Sequence, residues 1–128
     1  MQLTTSLRNT LADAIDTAVG ATGSARFQNT AQTQTFATCN LSNPAFGAAA
    51  TGTITLSGTP TEATASVGTT TRLGFYTAVT GGTLLMTMGV NDTGTPDVTI
   101  SNNVLSAADQ VEISSLTITV PAGTVDAA

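Results

Sequence analysis

The 128 residues suffice for one domain with a single two-layer core. Charged residues make up only 9% of the chain, and its cations are three arginines, Arg8, Arg26 and Arg72, against eight carboxylates, for a net charge of −5. Three scattered guanidinium groups without a lysine exclude the counterion-releasing patch that nucleic acid or an anionic membrane requires, and the absence of histidine excludes the Ser-His-Asp and Cys-His nucleophile systems.

The first twenty residues carry a helical pattern. Leu3, Leu7, Leu11, Ala14, Ile15, Ala18 and Val19 recur at three- and four-residue intervals, while Arg8, Asn9, Asp13, Asp16 and Thr17 fall on the other face. Thr4, Thr5 or Ser6 can cap the start, and Gly20 followed by Gly23 supplies a stop, so a helix is predicted over residues 5–19. Its apolar stripe needs a partner surface, either its own domain or a neighbouring subunit. In the second arrangement, removing residues 1–19 would leave a folded β domain.

After Gly23 the chain turns to short β-type runs. Threonine is the commonest residue, and its branched, stiff side chain suits a pleated surface better than a helix. Strands are predicted over 25–29 and 33–41, with a turn at Asn43-Pro44, then over 52–57, where Ile54 and Leu56 share a side. Ala63, Ala65 and Val67 alternate next. Residues 70–79 and 83–90 flank Gly81-Gly82, which suits a two-residue hairpin turn. That turn pairs Val79 with Leu84, Thr77 with Met86, Phe75 with Met88 and Leu73 with Val90, all on one apolar face. Arg72, Gly74, Tyr76, Ala78, Leu85, Thr87 and Gly89 form the opposite, mixed face, which can meet solvent or a partner.

Residues 91–97 form a loop, residues 97–101 a short strand, and residues 111–120 the last strand region. There Val111 and Ile113 share one parity and Leu116, Ile118 and Val120 the other. The phase change at Ser114-Ser115 implies a bulge or a strand that changes sheets. About eight strands with regular turn signals predict a mainly β fold, an antiparallel two-layer β-sandwich, jelly-roll-like, with one N-terminal α-helix. The expected division is a helix or arm at 1–22, a β-sandwich domain at 23–122 and a flexible tail at 123–128.

Chemistry is sparse. Cys39 is the only cysteine, which rules out an internal disulfide, and it reads as a small buried apolar residue. Asp92, Asp97 and Asn91 could offer oxygens to an ion, but their loop lacks the alternation and terminal glutamate of an EF-hand, and solvated turn residues are the expected reading. No catalytic residue, metal or cofactor is expected. No uncharged apolar run approaches the ~18 residues of a membrane span, and the start of the chain lacks the unbroken apolar stretch of a secretory signal. The candidate partner contacts are Leu3, Leu7 and Leu11 on the helix, with Tyr76 and Arg72 on the mixed hairpin face.

Three segments, LTTSLRNTLADAI at 3–15, LSNPAFGAA at 41–49 and ISSLTITVPA at 113–122, resemble a family of small virion structural proteins of tailed bacteriophages, in the family's order and bracketing nearly the whole chain. Residues 69–97 depart from it in carrying less charge. The resemblance implies a non-enzymatic capsid cement or decoration protein. Such a protein is made in the bacterial cytoplasm, sits on the capsid exterior and binds several copies of the major capsid protein, commonly as a homo-oligomer such as a trimer. Alternatives are a tail, neck or baseplate component, or a host-surface glycan-binding module.

Overall fold

The helix starts where the sequence places a cap. In the computed structural model, which describes residues 1–94, 98–100 and 103–123, α1 spans Thr5–Val19. The Thr4 hydroxyl accepts the Leu7 amide at 3.3 Å, and Gly20, at φ 71°, donates its amide to the Asp16 carbonyl.

The rest is short strands: β1 (Ser24–Gln28), β2 (Thr35–Asn40), β3 (Thr53–Thr55), β4 (Thr61–Glu62), β5 (Gly68–Thr69), β6 (Arg72–Tyr76), β7 (Leu84–Asn91), β8 (Val98–Thr99), β9 (Val104–Leu105), β10 (Val111–Glu112) and β11 (Thr117–Thr119). One sheet has five strands in the order β2-β1-β6-β7-β8, and three pairs stand separately: β10-β4, β11-β3 and β5-β9. The protein is therefore mainly β with one helix, its sheets small and separate. All pairings are antiparallel except β7 with β8, which run parallel at Val90 and Asn91.

Alternation decides what is buried. On the five-stranded sheet Ala25, Phe27, Ala37, Cys39, Leu73 and Phe75 face one way and are buried. Phe46, Ile54 and Leu56 join the same core from the segment around β3, and Ala12 and Val19 from α1. The Phe46 and Phe75 rings stand 5.9 Å apart at 35°, an offset contact that ties the β3 segment to the sheet. Phe27, Phe46 and Phe75 are buried completely, each contributing about 1.5–3 kcal/mol of transfer free energy.

The phase change at Ser114-Ser115 is a change of sheet. Val111 and Glu112 pair with β4, and Ile113 still donates its amide to the Pro60 carbonyl; by Thr117 the chain has joined β3. The alternation of Ala63, Ala65 and Val67, in contrast, makes no strand. Ala65 is buried and bonded to Asp109 and Ala108 in a turn, and Val67 is exposed.

The hairpin forms, but two residues away from the expected register. Leu73 pairs with Met88 and Phe75 with Met86, and a bulge follows before Tyr76 meets Leu84. A two-residue shift preserves parity, so Leu73 and Phe75 still face the core. The turn is wider than two residues because Arg26 occupies it. Its Nη2 donates to the carbonyls of Ala78 at 2.7 Å, Val79 at 3.1 Å and Gly81 at 2.6 Å, and the Ser24 hydroxyl donates to Ala78 at 2.8 Å. Holding three carbonyls around one cation needs a loop; Val79 on it and Leu84 at the start of β7, both expected inside, are exposed.

Candidate docking surface

The orientation of α1 reverses the expectation. The row of Arg8, Asn9, Asp13 and Asp16, expected to face solvent, lies against the domain. Asp16 Oδ1 accepts the Phe46 amide at 2.8 Å, Asp13 Oδ1 the Ala49 amide at 2.8 Å, and Asn9 Oδ1 the Gly52 amide at 2.7 Å. Arg8 Nε donates to the Val120 carbonyl at 2.8 Å. Residues 46–52 are an Ala/Gly-rich connection with little ladder pairing of its own, so its amides need acceptors, and a polar helix face supplies them every three or four residues. Gly52, at φ 78°, fits where no side chain would: a Cβ there would stand 2.7 Å from Arg8 Nε.

The apolar part of this inward face is narrow: Ala12 and Val19 are buried, and Ile15 packs beside them. The wider apolar row points away. Leu7 is 45% exposed and Leu11 42%, and Ala14 and Ala18 continue the row as exposed residues. Thr10, Asp13, Ala14, Thr17 and Ala18 line a shallow hollow left by the two alanines. Two leucines beside a hollow floored by alanine form a knob-and-hole surface of the kind that receives another helix or a flat apolar face.

The other predicted contacts are placed differently. Leu3 lies just before α1, half-buried, its amide donated to the Ala122 carbonyl at 2.7 Å. Arg72 and Tyr76 are on β6, on the sheet face away from the phenylalanine core. Tyr76 is turned in, only 9% exposed: its hydroxyl donates to Gln28 Oε1 at 3.0 Å, and the Arg26 guanidinium lies 3.9 Å from its ring centroid. Gly74 lets the ring lie down, since a Cβ there would come within 2.9 Å of it. Tyr76 is thus a packing residue, while Arg72 is half-buried opposite Gly89. Of the five, the structure brings only Leu7 and Leu11 together on one exposed face.

Further exposed apolar residues are Val67 and Val104, and a hairpin-end group of Val79 and Leu84, expected inside, with Leu85, expected on the mixed face. Leu85 lies where the bulge shifts the register, between Met86 opposite Phe75 and Leu84 opposite Tyr76.

The Cys39 thiol is buried, and loss of solvation, aided by the nearby Glu62 carboxylate, raises its pKa from 9.0 to about 11, so it stays protonated and unreactive at neutral pH. Asp92 is exposed next to Asn91, while Asp97 lies outside the described residues. Among the described residues no group of three or more His, Cys, Asp or Glu side chains could hold a metal ion, and no helix is long and apolar enough to cross a membrane. The chain matches no family model, no curated protein and no solved structure.

Proposed function

We propose that this chain is a non-enzymatic structural protein that works by docking, and that its place is the outside of a tailed-bacteriophage head, where it cements neighbouring major capsid protein subunits. One observation carries the docking part: α1 holds its own domain with its polar row and leaves Leu7, Leu11, Ala14 and Ala18 facing out. A helix attached the other way round would bury this apolar row against its own domain. The virion part is supported by the resemblance of residues 3–15, 41–49 and 113–122 to phage structural proteins, and by a surface covered with threonine instead of charge.

Under this reading the Phe46–Phe75 contact lies in the interior of a two-layer, jelly-roll-like sandwich, formed by the five-stranded sheet and the smaller pairs that share its core. Cementing follows from multivalency. A body that touches two capsid subunits adds contacts that must break before the seam opens, and self-association into a trimer multiplies them.

The test is a reconstruction, by electron cryomicroscopy, of particles purified from cells that produce the chain. Density for it over the seams between capsomers, with α1 at the contact, is the expected result. Density on the tail, neck or baseplate moves the protein to that assembly, and absence from particles, together with binding to host glycans, makes it a receptor-binding module instead.

A further inference from the structure

Arg26 and Arg72 stand on the same face of the five-stranded sheet, the face away from the phenylalanine core. The ladders set Thr38, Arg26, Gly74 and Thr87 in one row across it, and Thr35, Gln28, Arg72 and Gly89 in the next. Neither row contains a carboxylate. Arg26 donates to neutral oxygens, the Ser24 hydroxyl and the carbonyls of the hairpin turn, so its positive charge stays on this face, and Arg72 adds a second one beside Gly89. The two arginines are diagonal neighbours on adjacent strands, about 7–8 Å apart. Thr35 and Thr87 are exposed, and Thr38, Arg26 and Arg72 are half-buried. The result is an open, nearly flat and positive surface on a chain of net charge −5.

The carboxylates gather elsewhere. Asp13 and Asp16 hold main-chain amides under α1. Glu62, Asp109 and Glu112 belong to the β4–β10 pair and the turn before β10, where Glu62 stands opposite Val111 and Glu112 opposite Thr61. The Ala65 amide donates to the Asp109 carbonyl, which fastens that turn to the chain just after β4. Glu62 is half-buried, whereas Asp109 and Glu112 are exposed and only three residues apart, within about 10 Å of each other. Residues 60–66 and 104–113, which build this end of the molecule, include no cation.

Opposite charges kept on separate surfaces of one molecule are complementary between two molecules. We infer that the positive sheet face receives the β4–β10 end of a second copy of this chain, with Arg72 and Arg26 meeting Glu112 and Asp109. The two surfaces differ, so the contact is head to tail, and its repetition closes a ring such as a trimer or extends into a filament. Exposed ion pairs are individually weak and screened by salt, so the association belongs to high concentration and low ionic strength. The contact rests on the self-association in the proposed function and not on a virion location, and it leaves the outward row of α1 open to a capsid partner.

Sedimentation velocity of the full chain, from micromolar to millimolar concentration, reads the association. In dilute buffer the chain should associate, and half-molar salt should weaken the association at least about tenfold. Arg72→Glu and Glu112→Arg should each stay monomeric where the unmodified chain associates. Mixed together, the two variants should associate again, because the reversed face of one meets the reversed end of the other. If either variant fails to fold, the salt dependence of the unmodified chain still decides. A monomer at millimolar concentration in dilute buffer overturns the inference and self-association with it. Association that salt leaves unchanged or strengthens, that survives either charge reversal, that the mixture does not restore, or that Leu7→Ser abolishes while the reversals do not, overturns this contact and leaves self-association standing.

Discussion

Asp16 of the helix holds the Phe46 main-chain amide at 2.8 Å, and Phe46 in turn carries its ring into the core against Phe75. A polar residue on a helix expected to face water thus fixes the placement of a buried aromatic thirty positions later. The link ties the fold and the docking surface together, because turning the Asp16 row inward is what turns the Leu7 row outward.

Replacing Asp16 with Ala should cost about 1–3 kcal/mol, the penalty of a part-buried amide left without its charged acceptor. Asp16→Asn keeps an oxygen in place and should cost less. Leu7→Ser and Leu11→Ser should stay within about 0.5 kcal/mol, as surface substitutions do. Urea denaturation midpoints check all four, and a larger loss at Leu11 than at Asp16 would mean that the helix sits the other way round.

Deleting residues 1–19 should abolish the cooperative unfolding transition. The truncation uncovers the core where Ala12 and Val19 sit and strands the amides of Phe46, Ala49 and Gly52. A truncated chain that melts cooperatively near the temperature of the intact one would show that α1 is dispensable to the fold.

Phe75→Ala should cost about 3–5 kcal/mol, since the ring is fully buried, and Met88→Ala, at a half-buried position, no more than about half of that. Equal losses at the two positions would indicate that Met88 is fully enclosed in solution.

Arg26→Ala should loosen residues 77–83, seen as faster amide exchange there, and cost about 1–3 kcal/mol for the charged hydrogen bonds lost. Arg26→Lys should recover only part of this, because an ammonium group lacks the planar fork that lies over Tyr76.

Cys39 should resist a water-soluble thiol reagent at pH 8 in the native protein and react fully in urea. Its raised pKa means that the folded state holds the thiol proton longer than the unfolded state, so this contribution to stability is complete below pH 9 and declines as the pH rises through about 11. Native labelling at pH 8 as fast as in urea would contradict burial of the thiol.

The bounds of α1 were legible in the periodicity, in Thr4 and in Gly20, because helix ends are decided locally. Its orientation was not: hydropathy assigns the broad Leu7 row to the interior, and the outcome depended on which backbone amides 30 to 45 residues away lacked acceptors. The narrow run of Ala12, Ile15 and Val19 between polar neighbours was the only local sign. Likewise the faces of the hairpin could be read from alternation, but its register was set by Arg26, some fifty residues upstream, entering the turn. The sheet change at Ser114-Ser115 was visible because burial parity must reverse when a strand crosses from one partner to another. Tyr76 was visible as a large amphipathic side chain, while its inward pose depended on Gln28, Gly74 and Arg26 together.

The Leu3 amide on the Ala122 carbonyl, with Gln2 bridged to Gly123, brings both extremities of the described fold to one spot. The path is nearly circular, so a short linker joining the extremities and a new opening at Gly81-Gly82 should yield a permuted chain with the same core. A cargo fused directly before Gln2 or directly after Gly123 would leave from that same spot, so two such fusions would crowd each other unless one were moved to the new opening.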